Sequence, residues 1–339
     1  MPELPEVETI VRQLRPVVEG ATIEFIEIRD PRWCAPVDPA VLIAAVTGLS
    51  VRRLWRRGKY LVWELGDQVH LVMHLRMTGT LLHAPAVDPP HTRVVIGCSG
   101  ARVVFVDPRR FGTGELVIGL GALERFFDAR LGVEPLDGGF TPQYLRDVAR
   151  GRRGPVKPFL LDQRNVAGVG NIYADEALFR ARIHPLRPAG ALTPKQYVGL
   201  HAAVIASLEA GIDAKGASID DFRHPDGVRG SFQDQFLVHR REGLACPVCG
   251  RPVRKLVVAG RGTYVCEGCQ ARPRPRRTRA LQSGRPSPTS GGNQLEETAG
   301  LVGSTNLVVP TKQLLVDDDL GEGHQAGLLD ELVPGSGIA

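Results

Sequence analysis

Four cysteines fall in two tight pairs, Cys246 with Cys249 and Cys266 with Cys269, spaced C-x2-C-x16-C-x2-C. Two such pairs on successive turns let four thiolates converge on one tetrahedral ion, and this spacing is that of a zinc site. Four thiolates leave no open coordination position, so one Zn2+ is expected in a structural role. It would staple a hairpin too small to hold itself and present the intervening "VVAGRGTYV", with Arg261, as a rigid element. Cys34 and Cys98 stand alone and read as buried thiols.

The second group with chemistry is at the tip, "MPELPEVETI". Initiator Met is removable ahead of a small residue, which would make Pro2 a free secondary amine. Only a neutral amine attacks carbon; an α-amino group near pKa 8 is roughly 10% neutral at pH 7, against about 0.04% for a lysine near 10.4. Attack of a secondary amine on a sugar C1′ gives a cationic iminium, an electron sink that acidifies the neighbouring C2′ proton and favours β-elimination. Glu3 beside it could protonate a departing base or ring oxygen. Taken alone, the two residues read first as a solvent-exposed lead-in to a helix.

The elements that must carry these groups follow from periodicity. Val7, Ile10, Val11 and Leu14 share one helical face, with Pro5 in the first turn and Gly20 at the stop. From Ile23 to Val106 the pattern becomes short strands, "TIEFIEI", "YLVWEL", "VHLVMHL", "RVVIGC" and "RVVFVD", without helices between them, which argues for an antiparallel sandwich or barrel. After about residue 136 the chain turns helical. "PFLLDQRNVAGVGNIYADEALFRARIHP" reads as two helices around a Gly168-Val169-Gly170 turn with Asn171 opening the second. "LTPKQYVGLHAAVIASLEAG" carries a capping box from Thr193 to Gln196 and Gly211 as its terminator.

Charge divides the 339 residues unevenly. Residues 1–280 hold 40 Lys and Arg against 29 acids, while 281–339 hold 2 against 8. A basic body suits a polyanionic partner. No run approaches ~18 apolar residues and the N-terminus lacks a signal-peptide pattern, so a cytosolic protein with no membrane partner is expected. Beyond Gln270 an Arg-rich stretch and a Gly- and Ser-rich tail without aromatics read as a basic linker and mostly disordered tail, in which "TNLVVPTKQLLV" is the one piece suited to docking.

"MPELPEVE", "RRGKYL", "HLRMTG", "DPRRFG", "GVGNIYADEAL", "IHP" and the four-cysteine finger ending in "CxxCQ" occur in an order and spacing that resemble bacterial formamidopyrimidine-DNA glycosylase, over residues 1 to about 271. The resemblance implies an α+β multidomain chain: a catalytic β-sandwich flanked by helices (1–135), a helix-two-turn-helix domain (136–240), the zinc finger (241–271) and the linker and tail (272–339). It implies a bacterial, monomeric DNA repair enzyme acting on damaged double-stranded DNA. That enzyme would excise oxidised purines such as 8-oxoguanine and formamidopyrimidines and cleave the strand by β,δ-elimination.

Carried over by position, the resemblance makes Pro2 the Schiff-base nucleophile and Glu3 its acid and base. Lys59 would assist β-elimination, and Arg261 δ-elimination. Asn171, Lys157 and His91 would meet phosphates, with Arg152 and Arg153 as further backbone contacts. Met77, Arg109 and Phe111 would fill the gap left by an extruded nucleotide; on residue type alone, Met77 and Phe111 read as core. "GASIDDFRHPDGVRGSFQ" occupies the place of a loop that closes over the damaged base. The sequence departs from the family at Arg76 and Arg240, where Gly is usual, and at His239, where Tyr is usual. An endonuclease VIII-like enzyme for oxidised pyrimidines, a silent DNA-binding paralogue and a zinc-ribbon protein for other partners are the alternatives.

Overall fold

Leu4–Val18 forms α1, whose face of Val7, Ile10, Val11, Leu14 and Val18 is buried in the core of a β-sandwich. Leu4, one turn earlier, is buried instead among the helices of the next domain. The chain tip therefore leaves the sandwich and inserts into its neighbour. The computed structural model describes residues 2–218, 225–227, 229–273 and 315–316.

One sheet of the sandwich runs β1 (Ile23–Ile28), β6 (Thr92–Cys98), β7 (Ala101–Val106), β5 (Thr80–His83), all antiparallel. The other runs β8 (Thr113–Ile118), β4 (Val69–His74), β3 (Tyr60–Leu65), β2 (Val51–Arg57), also antiparallel, with the two-residue β11 (Leu315–Val316) parallel to β8 at its edge. Alternation places Leu61, Trp63 and Leu65 of β3 between the sheets. Tyr60 and Val62 face the other way, beneath Ala122, Leu123, Phe126 and Phe127 of α3 (Leu120–Asp128). Both faces of that sheet are covered, which is why "YLVWEL" reads as nearly continuous apolar sequence. A second flanking helix, α2, spans Pro39–Val46.

The helical domain contains α4 (Pro142–Ala149), α5 (Val156–Leu161), α6 (Asn171–Arg180) and α7 (Pro194–Asp213) around a second core. The Thr193–Gln196 capping box is present. Gly211 does not end α7, which runs on to Asp213; a Cβ at Gly211 would lie 2.4 Å from the Tyr173 ring, so this glycine permits close helix packing. A hairpin of β9 (Arg254–Val258) and β10 (Arg261–Val265) forms the finger, whose core includes Phe179 and Val238. The architecture is thus the expected sandwich, helical domain and four-cysteine finger. Of the loop expected to close over the damaged base, 219–224 and 228 lie outside the described residues. The linker and tail expected over 272–339 lie outside them too, apart from 272–273 and β11.

Candidate active site and nucleic-acid interface

Pro2 and Glu3 are buried, not a solvent-exposed lead-in. The Leu4 N–H donates to Gly168 O at 3.1 Å, and the Glu3 carboxylate accepts from the backbone N–H groups of Ile172 (2.9 Å) and Tyr173 (3.4 Å). Those are unpaired donors of the first turn of α6, where the helix dipole also favours negative charge. The Gly168-Val169-Gly170 turn makes room for the tip. A Cβ at Gly170 would come within 2.3 Å of the Glu3 carboxyl carbon, and one at Gly168 within 2.5 Å of Leu4. Beneath Glu3, the buried Glu6 carboxyl accepts from Glu3 N–H (2.8 Å), Tyr173 O–H (2.8 Å) and Ala217 N–H (2.7 Å). Burial, then the neighbouring Glu3 charge, push Glu6 above the usual carboxylate range.

Lys59 follows Gly58, at φ +55°, in the β2–β3 turn and is 5% exposed. Burial depresses its ammonium below the ordinary lysine value; the Glu3 charge opposes that shift and Arg261 adds to it. Among the described residues no ion pair or hydrogen bond engages its ammonium. Glu134 fixes the turn, accepting from Gly58 N–H at 2.8 Å and pairing closely with Arg56.

Arg261 is exposed at the start of β10. The next carbonyl, Gly262 O, accepts from Lys157 Nζ (3.0 Å) and from Asn171 Nδ2 (3.0 Å). Lys157 is 0% exposed, and its ammonium lies 2.7 Å from Asp175 Oδ1 and donates to Thr263 Oγ1 at 2.9 Å. Its ammonium thereby ties α5 to the hairpin. Asn171 is the first residue of α6, and its side chain likewise reaches the hairpin instead of capping its own helix.

Each of the four cysteines offers a sulfur within 4.8 Å of the others, two of the separations being 3.8 and 3.4 Å. Tetrahedral Zn–S bonds of ~2.3 Å place sulfurs ~3.8 Å apart, so the donor set fits one zinc ion in type and size. Cys34 and Cys98 are buried as expected, and burial pushes Cys98 up to about 11.

Met77 and Phe111 are 42% and 50% exposed on neighbouring loops, so neither is a core residue. The loops are tied by Asp107, which accepts from Thr78 O–H and from the backbone N–H groups of Arg109 (3.2 Å), Phe111 (2.8 Å) and Gly112 (2.7 Å). The Arg109 guanidinium lies 4.9 Å from the Phe111 ring centre, a cation–π stack that presents both as one ridge. Arg110, at φ +61°, turns back to pair with Asp30 at 2.7 Å. His91 is exposed, with a ring nitrogen 3.5 Å from Arg93. Arg152 and Arg153 are exposed on the α4–α5 loop, Arg152 being held by Val148 O and Asn165 Oδ1.

Three family models match the chain: the formamidopyrimidine-DNA glycosylase N-terminal domain over residues 1–114, its H2TH domain over 131–223, and the zinc finger found in FPG and IleRS over 243–272. The formamidopyrimidine-DNA glycosylase of Aromatoleum aromaticum is 46% identical over 276 residues, covering 80% of this chain and 100% of that one. This chain belongs to the formamidopyrimidine-DNA glycosylase family. The crystal structure of MutM (Fpg) from Thermus thermophilus matches with a TM-score of 0.73 at 43% identity, over 80% of this chain and 100% of that one. Lactococcus lactis Fpg, solved with abasic-site DNA, matches with 0.75 at 36% identity over the same shares.

Within this glycosylase frame the departures acquire physical content. Arg76 and Arg240 stand at φ +56° and +55°, a backbone region glycine enters without penalty, so the family's usual glycine suits the conformation and this chain holds it with arginine. His239 is 5% exposed, its Nδ1 2.9 Å from Asp175 Oδ2 and its ring edge-on to Phe236 and Tyr264. Sequence reasoning did not single out Glu6, Asp107, Glu134 or Asp175. Glu6 had a local signal, its place three residues after the N-cap of α1, and so had Asp107, an Asp heading the turn whose N–H groups it caps; Glu134 and Asp175 act through partners remote in sequence.

Proposed function

We propose that this chain is a bifunctional DNA glycosylase and abasic-site lyase of base excision repair, acting on oxidised purines in duplex DNA. The observation that carries the reading is the convergence of Pro2 and Glu3, buried at the N-terminus of α6, with the buried Lys59 in the field of Glu3 and Arg261. Once Met1 is removed, the Pro2 nitrogen attacks C1′ as the glycosidic bond breaks, and Glu3 supplies the proton to the departing base or ring oxygen. The iminium draws electrons from C2′; loss of a proton there expels the 3′ phosphate. Lys59, short of solvent and with its ammonium held below the ordinary lysine value by burial, suits that transfer, and Arg261 suits the second elimination, which expels the 5′ phosphate.

The Met77, Arg109 and Phe111 ridge enters the duplex where the damaged nucleotide leaves, offsetting lost stacking. His91, Asn171, Arg152 and Arg153 lie along the phosphate path. Cys246, Cys249, Cys266 and Cys269 hold a single structural Zn2+, and the protein works as a monomer in the bacterial cytosol. Duplexes carrying 8-oxoguanine opposite cytosine, thymine glycol or an abasic site test the reading. The expected result is 8-oxoguanine excision with β and δ products. A preference for thymine glycol would move the chain to the endonuclease VIII-like class, and inertness on all three would leave a DNA-binding module.

A further inference from the structure

The finger hairpin must hold Arg261 still, yet zinc fixes only one end of it. The cysteines lie beyond the open ends of β9 and β10, whereas the turn Ala259-Gly260 sits at the other end, five residues of strand away. At roughly 3.3 Å per residue the turn is more than ~10 Å from the metal ligands. A two-stranded ribbon of this length is marginal without a second support. Ala259 and Gly260 both occupy the left-handed region, φ +48° and +72°, as a two-residue hairpin turn requires.

The second support is a chain of polar contacts from the helical domain. His239 Nδ1 lies 2.9 Å from Asp175 Oδ2, and Asp175 Oδ1 lies 2.7 Å from Lys157 Nζ. Lys157 Nζ donates to Thr263 Oγ1 at 2.9 Å, and the Thr263 hydroxyl donates to Arg261 O at 3.1 Å. Asp175, Lys157 and Thr263 are each at most 1% exposed and His239 is 5% exposed. A buried, charge-assisted path of this kind is stiff; removing the Thr263 hydroxyl leaves Lys157 its contacts with Asp175 and Gly262 O but cuts the link to Arg261 O. Because the last link is to the carbonyl of Arg261 itself, the path sets where the guanidinium starts from.

We infer that Asp175, Lys157 and Thr263 are positioning residues for Arg261: they couple the helical domain to the finger turn and thereby govern the second elimination step, without touching DNA. The inference rests on the proposed role of Arg261 in that step, so the experiment includes Arg261→Ala. Single-turnover cleavage of an abasic duplex is followed for the ratio of δ to β product in Thr263→Val, Asp175→Asn and Lys157→Met. Zinc content and the yield of borohydride-trapped adduct are measured alongside. Thr263→Val is close to isosteric and removes only the hydroxyl, which guards against a trivial folding defect; Thr263→Ser restores the hydroxyl.

The expected result is a fall of at least about threefold in the δ-to-β ratio for Thr263→Val and Asp175→Asn, with zinc and adduct yield at wild-type levels, and a wild-type ratio in Thr263→Ser. If Arg261→Ala loses the δ product while Thr263→Val and Asp175→Asn keep the wild-type ratio, the positioning path is overturned and the role of Arg261 stands. If Arg261→Ala keeps the δ product, the role of Arg261 falls and the inference with it. Parallel loss of zinc or adduct in Thr263→Val would show a general support of the fold, and would also overturn it.

Discussion

Gly170 lies so close under Glu3 that a Cβ on the glycine would sit 2.3 Å from the Glu3 carboxyl carbon. The two residues meet because α1 delivers the tip of the chain into the helical domain, where the first turn of α6 offers Ile172 and Tyr173 N–H groups to the carboxylate. Gly170→Ala should therefore displace Glu3 while leaving α6 helical. We expect single-turnover base excision to fall at least about tenfold, equivalent to ~1.4 kcal/mol of transition-state stabilisation, with zinc content unchanged. Wild-type excision would show that the capped position of Glu3 is not required.

Lys59 is a buried cation without a partner among the described residues, and its value is lowered in the fold. Between that lowered value and the unfolded one near 10.4, the unfolded chain binds the extra proton, so stability rises with pH across the window. The burial penalty is in full force below the window. Lys59→Met should stabilise the protein at pH 7 by roughly 1 kcal/mol or more, and this gain should shrink as pH approaches 10. Strand cleavage should fall sharply in the same variant. Thermal unfolding at pH 7 and pH 9.5 measures the first effect; a gain that grows with pH would contradict the assignment.

Arg76 holds φ +56° in a loop that carries Met77. For a residue with a Cβ this conformation costs about 1–2 kcal/mol, offset in part by the extra unfolded-state freedom of glycine. Arg76→Gly should raise stability by up to about 1 kcal/mol. Thermal unfolding decides it, and a loss of stability would show that the arginine side chain contributes more than the strain removes.

Phe111 and Arg109 form a stacked, exposed ridge fixed from behind by Asp107. If it fills the space left by an extruded base, Phe111→Ala should slow excision of 8-oxoguanine about tenfold or more, since stacking and unstacking terms run to a few kcal/mol. Cleavage of a pre-formed abasic site should stay nearly intact. Equal loss on both substrates would remove the wedge role.

Much of this was legible in the sequence, for local reasons. The finger, α1 and the α7 N-terminus are written in short spacings: two C-x-x-C pairs, an i, i+3, i+4, i+7 face and a T-P-x-Q cap. What was not legible depends on distant pairings. Strand β2, "VRRLWRR", hides in a run of arginines, because its apolar side is supplied by Val51 and Leu54 while Arg56 is consumed by Glu8 and Glu134. Gly211 looked like a helix terminator, yet its partner is the Tyr173 ring on another helix. The ion pair of Lys157 with Asp175 was not legible, because the two lie on separate helices with a turn between them. Met77 and Phe111 have core-like side chains, and only the loops tied to Asp107 reveal that both point outward.

Base release and strand cleavage both depend on a bond between the Pro2 nitrogen and C1′. Borohydride reduces an iminium to a stable amine, so a duplex with 8-oxoguanine opposite cytosine should become covalently attached to the protein during turnover. Peptide mapping should place the adduct on the processed N-terminus, and the adduct peptide should shift by the mass difference in Pro2→Gly. An adduct on a lysine, or none on either this duplex or an abasic one with the N-terminus shown to be free, would rule out Pro2 as the nucleophile.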